Sequence, residues 1–166
     1  MRRIISILVD NEPGVLARIA GLFSARGFNI ESLCVAETLD PTLSHITLVT
    51  SGEDWIIEQI IKRFNNMINV IKVTDLTQYS HVERDMVLVR VESSVESRPE
   101  ILRTADIFRA KVIDVGPKSY VLELTGDKEK LGAFISILMP MGVTEIVRAG
   151  SIGLTREIQK NNKKVK

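Results

Sequence analysis

The apolar positions along the first eighty residues change period in a fixed order. Residues 2 to 9 (RRIISILV) are dominated by Ile, Leu and Val and stop at Asp10-Asn11, which predicts a strand. Val15, Leu16, Ile19, Ala20, Leu22 and Phe23 then recur at three- and four-residue spacing. This predicts an amphipathic helix, with Gly27 where a C-terminal cap belongs. Strands are expected over Phe28 to Leu39 and Ser44 to Ser51, joined as a hairpin through Asp40-Pro41. A second helix carries Trp55, Ile56, Ile60, Ile61 and Phe64 on one side, with Trp55 and Phe64 read as core, and Val70 to Leu76 returns as a strand. The order is β-α-β-β-α-β.

The second half repeats it. DMVLVRVE is followed by SRPEILRTADIFRA, by KVIDVGPKSYVLELTG as a hairpin through Gly116-Pro117, by DKEKLGAFISILM as a helix, and by a strand from Val143. Pro13 and Leu16 align with Pro99 and Leu102, Leu22-Phe23 with Ile107-Phe108, and Asn29-Ile30 with Asp114-Val115. The expected class is α+β, with two ferredoxin-like βαββαβ domains in tandem. The boundaries read from the sequence are 1–77, a polar linker at 78–84, a second domain at 85–154 and a basic tail at 155–166.

A split βαβ sheet has the order 4-1-3-2, so the second strand of each half lies at an edge. In the first half that strand, FNIESLCVAET, has neither proline nor lysine to blunt it, which predicts a homodimer across it.

Charge and composition narrow the chemistry. The 22 basic and 21 acidic residues nearly cancel, so neither nucleic acid nor a membrane surface is an obvious partner. The strands that would form the centre of an RNA-recognition sheet, SHITLVTS and RRIISILV, contain no aromatic residue. No apolar run approaches the ~20 residues of a membrane span, and no cleavage site follows Met1-Arg2-Arg3, so a cytoplasmic protein is expected. Cys34 is the single cysteine and the two histidines, His45 and His81, are far apart, so no metal cluster is spelled out. Cys34 reads as a small hydrophobe and His45 as a sheet residue. Glu123, Asp127 and Glu129 read as helix-capping and solvated groups. No catalytic set of nucleophile, base and metal is present, so no catalytic residue and no cofactor of the chain's own is expected.

The stretch DNEPGVLARIAGLFSARGFNIESL is different. Gly14 costs a helix about 1 kcal/mol against alanine, and it removes a Cβ from in front of main-chain N–H groups that lack helical partners. Asn11 precedes this turn, and Asn29 begins the edge strand. Donors for a carboxylate, oxygens for an ammonium, and Val15 or Ile30 for an aliphatic side chain would suit an amino-acid zwitterion. Pro-Gly starting a helix capped by Asn11 explains the same spacing. Spacing leaves both readings open.

NEPGVLARIAGLFSARGFNIESL resembles the ACT domain, a family of amino-acid sensors. RGFNIESLCVAETLDPTLSHITLVTSG, HVERDMVLVRV, ADIFRAKVIDVGPKSYVLELTG and VRAGSIGLTR are similar to the regulatory small subunits of acetohydroxyacid (acetolactate) synthase. The likeness spans almost the whole chain. It implies a non-catalytic subunit that binds and activates a large catalytic subunit, and that transmits feedback inhibition by valine in branched-chain amino-acid biosynthesis. Thiamine diphosphate, Mg2+ and FAD are expected in the large subunit. It also implies an effector at the dimer interface, at Asn11, Gly14 and Val15 of one subunit with Asn29 and Ile30 of the other. Glu100 and Asp114 stand in place of the glycine and asparagine in the second half, which predicts no such site there. The competing expectation is a stand-alone tandem ACT regulator of transcription or of another enzyme.

Overall fold

The computed structural model describes residues 1–25 and 27–157. They form two compact units. One is Met1–Val82 together with the chain from Gly153 onward, and the other is Glu83–Ile152.

In the first unit β1 (Arg2–Asp10), α1 (Val15–Ser24), β2 (Ile30–Glu37), β3 (Leu43–Ser51), α2 (Asp54–Asn65) and β4 (Val70–Asp75) follow in the expected order. The sheet order is β2-β3-β1-β4, so β2 and β4 are its edges. The core forms where the period-2 face of the strands (Ile5, Ile7, Val9, Ile46, Leu48) meets the helical stripes Val15, Ile19, Phe23 and Ile57, Ile60, Phe64. Phe23 and Phe64 pack as tilted rings 5.8 Å apart, which ties the two helices together. Trp55 is a correction: it is 57% exposed and donates from Nε1 to Glu53, and the buried stripe runs through Ile57 instead.

The expected linker at 78–84 is structured. A 3-10 turn covers Leu76–Gln78, and β5 (His81–Glu92) begins three residues later. Asp75 organises the turn: its carboxylate accepts from Thr77 N–H, Thr77 Oγ1, Gln78 Nε2 and Arg3 Nη1. Arg3 also pairs with Asp54 at 3.0 Å, and that hydrogen bond holds its guanidinium further above its ordinary pKa.

In the second unit β5 continues through α3 (Arg98–Phe108), β6 (Lys111–Val115), β7 (Ser119–Gly126), α4 (Lys128–Leu138) and β8 (Val143–Arg148), with the order β6-β7-β5-β8. Asp127 caps α4 by accepting from Lys130 N–H at 2.8 Å, which matches its reading as a capping group. The chain then does what its pattern did not announce. A short strand, β9 (Ile152–Thr155), pairs with β5, and from Gly153 the chain belongs to the first unit: Gly153 packs against Leu76 and Arg156 N–H donates to Ser80 O. The tail read as starting at Thr155 is thus ordered at its beginning, and residues 158–166 of it lie outside the described residues.

The two halves align differently from their sequences. In each, the register of the first strand against the last slips once, at Leu8/Val9 and at Arg90/Val91. The turn after each first helix holds a residue at positive φ, Gly27 or Arg109, and is closed by a bond across six residues, Phe28 N–H to Phe23 O and Ala110 N–H to Ala105 O. These anchors have the same spacing and make Val9 equivalent to Val91, and Gly27 to Arg109. Gly14 therefore corresponds to Glu96, one helical turn from the Glu100 expected. The expected partners of Asn29-Ile30 are corrected too. Val35 pairs with Ile46 as Val112 pairs with Leu122, so Asp114-Val115 match Ala36-Glu37, and Asn29 to Leu33 have no counterpart.

Candidate functional site

The N-terminus of α1 is built around a left-handed glycine. Gly14 stands at φ +86° and is the cap residue, and no side chain caps the helix. A β-carbon there is strained by about 1–2 kcal/mol, while the space it would enter is empty to 4 Å. Glycine is thus required by the backbone, and the main chain of the turn is left uncovered. Pro13 precedes this cap, unlike Pro99, which lies inside the first turn of α3. Arg18 N–H closes the first turn on Gly14 O at 3.0 Å.

Asn11 does not cap the helix. Its Nδ2 donates to Glu37 Oε1 at 3.1 Å and Pro41 O at 3.0 Å, which fixes the amide and leaves Oδ1 out of both bonds. Asn69 organises the other side by donating to Asp10 and Glu12 and accepting from Arg18 Nη1 at 3.0 Å. Three carboxylates, those of Asp10, Glu12 and Glu37, therefore border a helix terminus whose dipole is positive. Such an arrangement can receive an ammonium and a carboxylate side by side.

Val15 contributes main chain only, because its side chain is 2% exposed within the core. Asn29 is exposed, and its carbonyl accepts from the buried Thr50 Oγ1 at 2.8 Å. Ile30 opens β2 opposite Thr50 and packs half-buried on the core. The structure brings Asn11, Gly14 and Val15 together and leaves Asn29 and Ile30 elsewhere. Asn11 is tied to Glu37 at the end of β2, whereas Ile30 begins it, seven residues or about 23 Å of strand away. Within one chain the five residues make no common site.

Glu37, Pro41 and Asn69 were not singled out in the sequence. They meet Asn11 and Arg18 only through sheet register, and no local pattern marks them as site residues, Pro41 being readable only as part of the Asp40-Pro41 turn. Among the other candidates, Cys34 is half-buried on β2, and His45 Nε2 lies 2.8 Å from Ser6 Oγ. Burial pushes the His45 pKa below its ordinary value of 6.5.

Residues 84–157 match the family model described as the small subunit of acetolactate synthase, and residues 5–72 match that of the AHAS small subunit-like ACT domain. The chain belongs to the acetolactate synthase small-subunit family. Members of this family are similar along nearly the whole length. An acetolactate synthase small subunit of Haemophilus influenzae is 49% identical over 157 residues, covering 94% of this chain and 96% of that one. A probable acetolactate synthase small subunit of Archaeoglobus fulgidus is 46% identical over 156 residues, covering 94% and 98%. The crystal structure of an acetolactate synthase small subunit from Thermotoga maritima superposes with a TM-score of 0.86 at 39% identity, covering 95% of this chain and 98% of that one. The tandem ferredoxin-like fold with an ACT domain first is thus shared with the family. No helix among the described residues is long and apolar enough to cross a membrane.

Proposed function

We propose that this regulatory small subunit activates the large catalytic subunit of acetolactate synthase and confers feedback inhibition by valine, bound between the ACT domains of a homodimer. The observation that carries the reading is the separation of the candidate residues to opposite ends of β2. When β2 pairs antiparallel with its own copy along its whole length, residue 30 of one chain lies beside residue 37 of the other. Glu37 is the residue that holds Asn11, so the pairing brings Asn29 and Ile30 of a second copy to the turn at Gly14. The uncovered main chain there takes the carboxylate, Asn11 Oδ1 and the bordering acids take the ammonium, and Ile30 lines the aliphatic side. The condensation of pyruvate and its cofactors, thiamine diphosphate, Mg2+ and FAD, belong to the large subunit.

Inhibition requires that valine bind two arrangements of the complex unequally, since equal binding shifts nothing. Couplings of ~1–3 kcal/mol change affinity 5- to 150-fold. The test is a calorimetric titration of the purified chain with valine, leucine and isoleucine, alone and with the large subunit. Saturable valine binding that weakens on dilution to monomer is expected. Binding indifferent to dimer dissociation contradicts the reading.

A further inference from the structure

The far edge of the same sheet carries a second feature. A groove of about 750 Å3 in the first unit is lined by four consecutive residues of β4, Lys72 to Asp75. Consecutive strand residues point to opposite faces, so a groove that touches all four follows the strand's edge. β4 ends the sheet order, with β1 on its inner side. Ile61 and Lys62 of α2 form one wall of the groove, and Thr155 and Arg156 at the end of β9 also line it. The result is a slot beside a strand whose outer edge has no strand partner among the described residues.

Its charge has one dominant sign. Lys62 comes from α2, Lys72 from β4 and Arg156 from the chain just after β9, and all three are exposed. Neither lysine has an ion pair among the described residues. Arg156 spends Nε on His81 O, which leaves its outer nitrogens available. Of the two acids in the lining, Asp75 is already paired with Arg3, so Glu58 alone offsets the cations. A single lysine on an edge strand is ordinary protection against unwanted pairing. Three cations converging on one slot, with apolar Ile61 and Val73 between them, favour a specific guest.

We infer that this groove receives an acidic, extended segment of the large catalytic subunit, which adds as a strand to β4 and places its carboxylates against Lys62, Lys72 and Arg156. The inference rests on the reading that this chain binds a large subunit. It places that contact at the sheet edge opposite β2, so the dimer seam and the partner contact occupy different edges of one sheet.

The test titrates the purified large subunit with the full-length chain, reading catalytic activity. Lys62→Glu/Lys72→Glu/Arg156→Glu is expected to raise the half-saturating concentration on the order of 100-fold, and the matching Gln variant on the order of 10-fold with a flatter salt dependence. Valine binding by the isolated variants stays at the wild-type level, which shows that they are folded. In the wild-type complex, hydrogen exchange slows at the β4 amides. Wild-type association that the variants leave unchanged, or that leaves β4 exchange unchanged, overturns the inference while the regulatory reading stands. So does tripolyphosphate binding that the Glu variant abolishes without disturbing the subunit titration, since the groove is then a small-polyanion site. A wild-type chain that binds no large subunit overturns both.

Discussion

The two halves share a fold and differ where a ligand would be held. In the first, α1 begins at a left-handed glycine with open space before it and no side-chain cap. In the second, α3 also lacks a side-chain cap, but no glycine opens it and the turn before it is tied by its own serines. Ser94 N–H donates to Ser97 Oγ at 2.9 Å, and Ser97 N–H to Ser94 Oγ at 3.2 Å, while Glu96 occupies the place of Gly14. The edge strands differ in step: β2 has eight residues, and β6 has five and lacks the stretch equivalent to Asn29 to Leu33. One half keeps its helix terminus available and its edge long. The other ties its own serines together before the terminus and shortens the edge, as a structural copy would.

The largest expected effect breaks this contrast directly. Gly14→Asp puts a carboxylate over the uncovered turn in a backbone region that L residues avoid, and valine affinity falls on the order of 100-fold, or ~2.7 kcal/mol. Activation of the large subunit persists. Gly14→Ala has the strain without the charge and separates the two causes. Glu96→Gly, its mirror in the second half, creates no valine binding, because Asn29 and Ile30 have no equivalents there. Gain of a second valine site in that variant would contradict the comparison.

A smaller effect concerns the far ends of the same helices. Gly27 sits at φ +68° and Arg109 at φ 57° in equivalent closing turns. Gly27→Ala destabilises the first unit by ~1 kcal/mol, and Arg109→Gly relieves strain in the second for a net change of ~0.5 kcal/mol or less. Denaturant unfolding monitored by hydrogen exchange at Ile7 and Val89, in the central strands of the two units, resolves one from the other.

The smallest effect is one of pH. Burial lowers the folded-state pKa of His45, so its contribution is fully present above the ordinary value of 6.5 and is lost as pH falls and the unfolded chain takes up the proton first. Residues 83–152 contain no histidine. Opening at Ile7 therefore becomes easier between about pH 7 and pH 5 while opening at Val89 does not follow it, and His45→Gln abolishes the difference.

Much of this was legible in the chain. Alternating Ile and Val in residues 2–9 and 86–91 and the three- and four-residue spacing of Ile19 and Phe23 are direct records of which face is buried, so the element order and sheet order could be read. Register could not. The Pro-x-x-Leu match of residues 13–16 with 99–102 is a coincidence one helical turn out of step, because Pro13 stands before its helix and Pro99 within the next. Trp55 misled for a related reason, since Ile56 and Ile57 make the stripe readable on either side. β9 was missed because four residues are too few to show a period, and what holds them is pairing with β5 and packing of Gly153 against Leu76, both far away in sequence. At the site, Gly14 was legible as a break in helix propensity, whereas the tie from Asn11 to Glu37 arises from strand pairing and leaves no local mark.

The central claim is that each effector site takes its turn from one chain and its Asn29 from another, and mixing two defective variants tests it most directly. Gly14→Asp and Asn29→Asp homodimers each lose both sites. In a mixed dimer the two lesions fall on the same seam site and the opposite one is wild type. Calorimetry after subunit exchange is expected to recover one valine site per mixed dimer at wild-type affinity, and a mixture as blind to valine as its two parents would contradict the account.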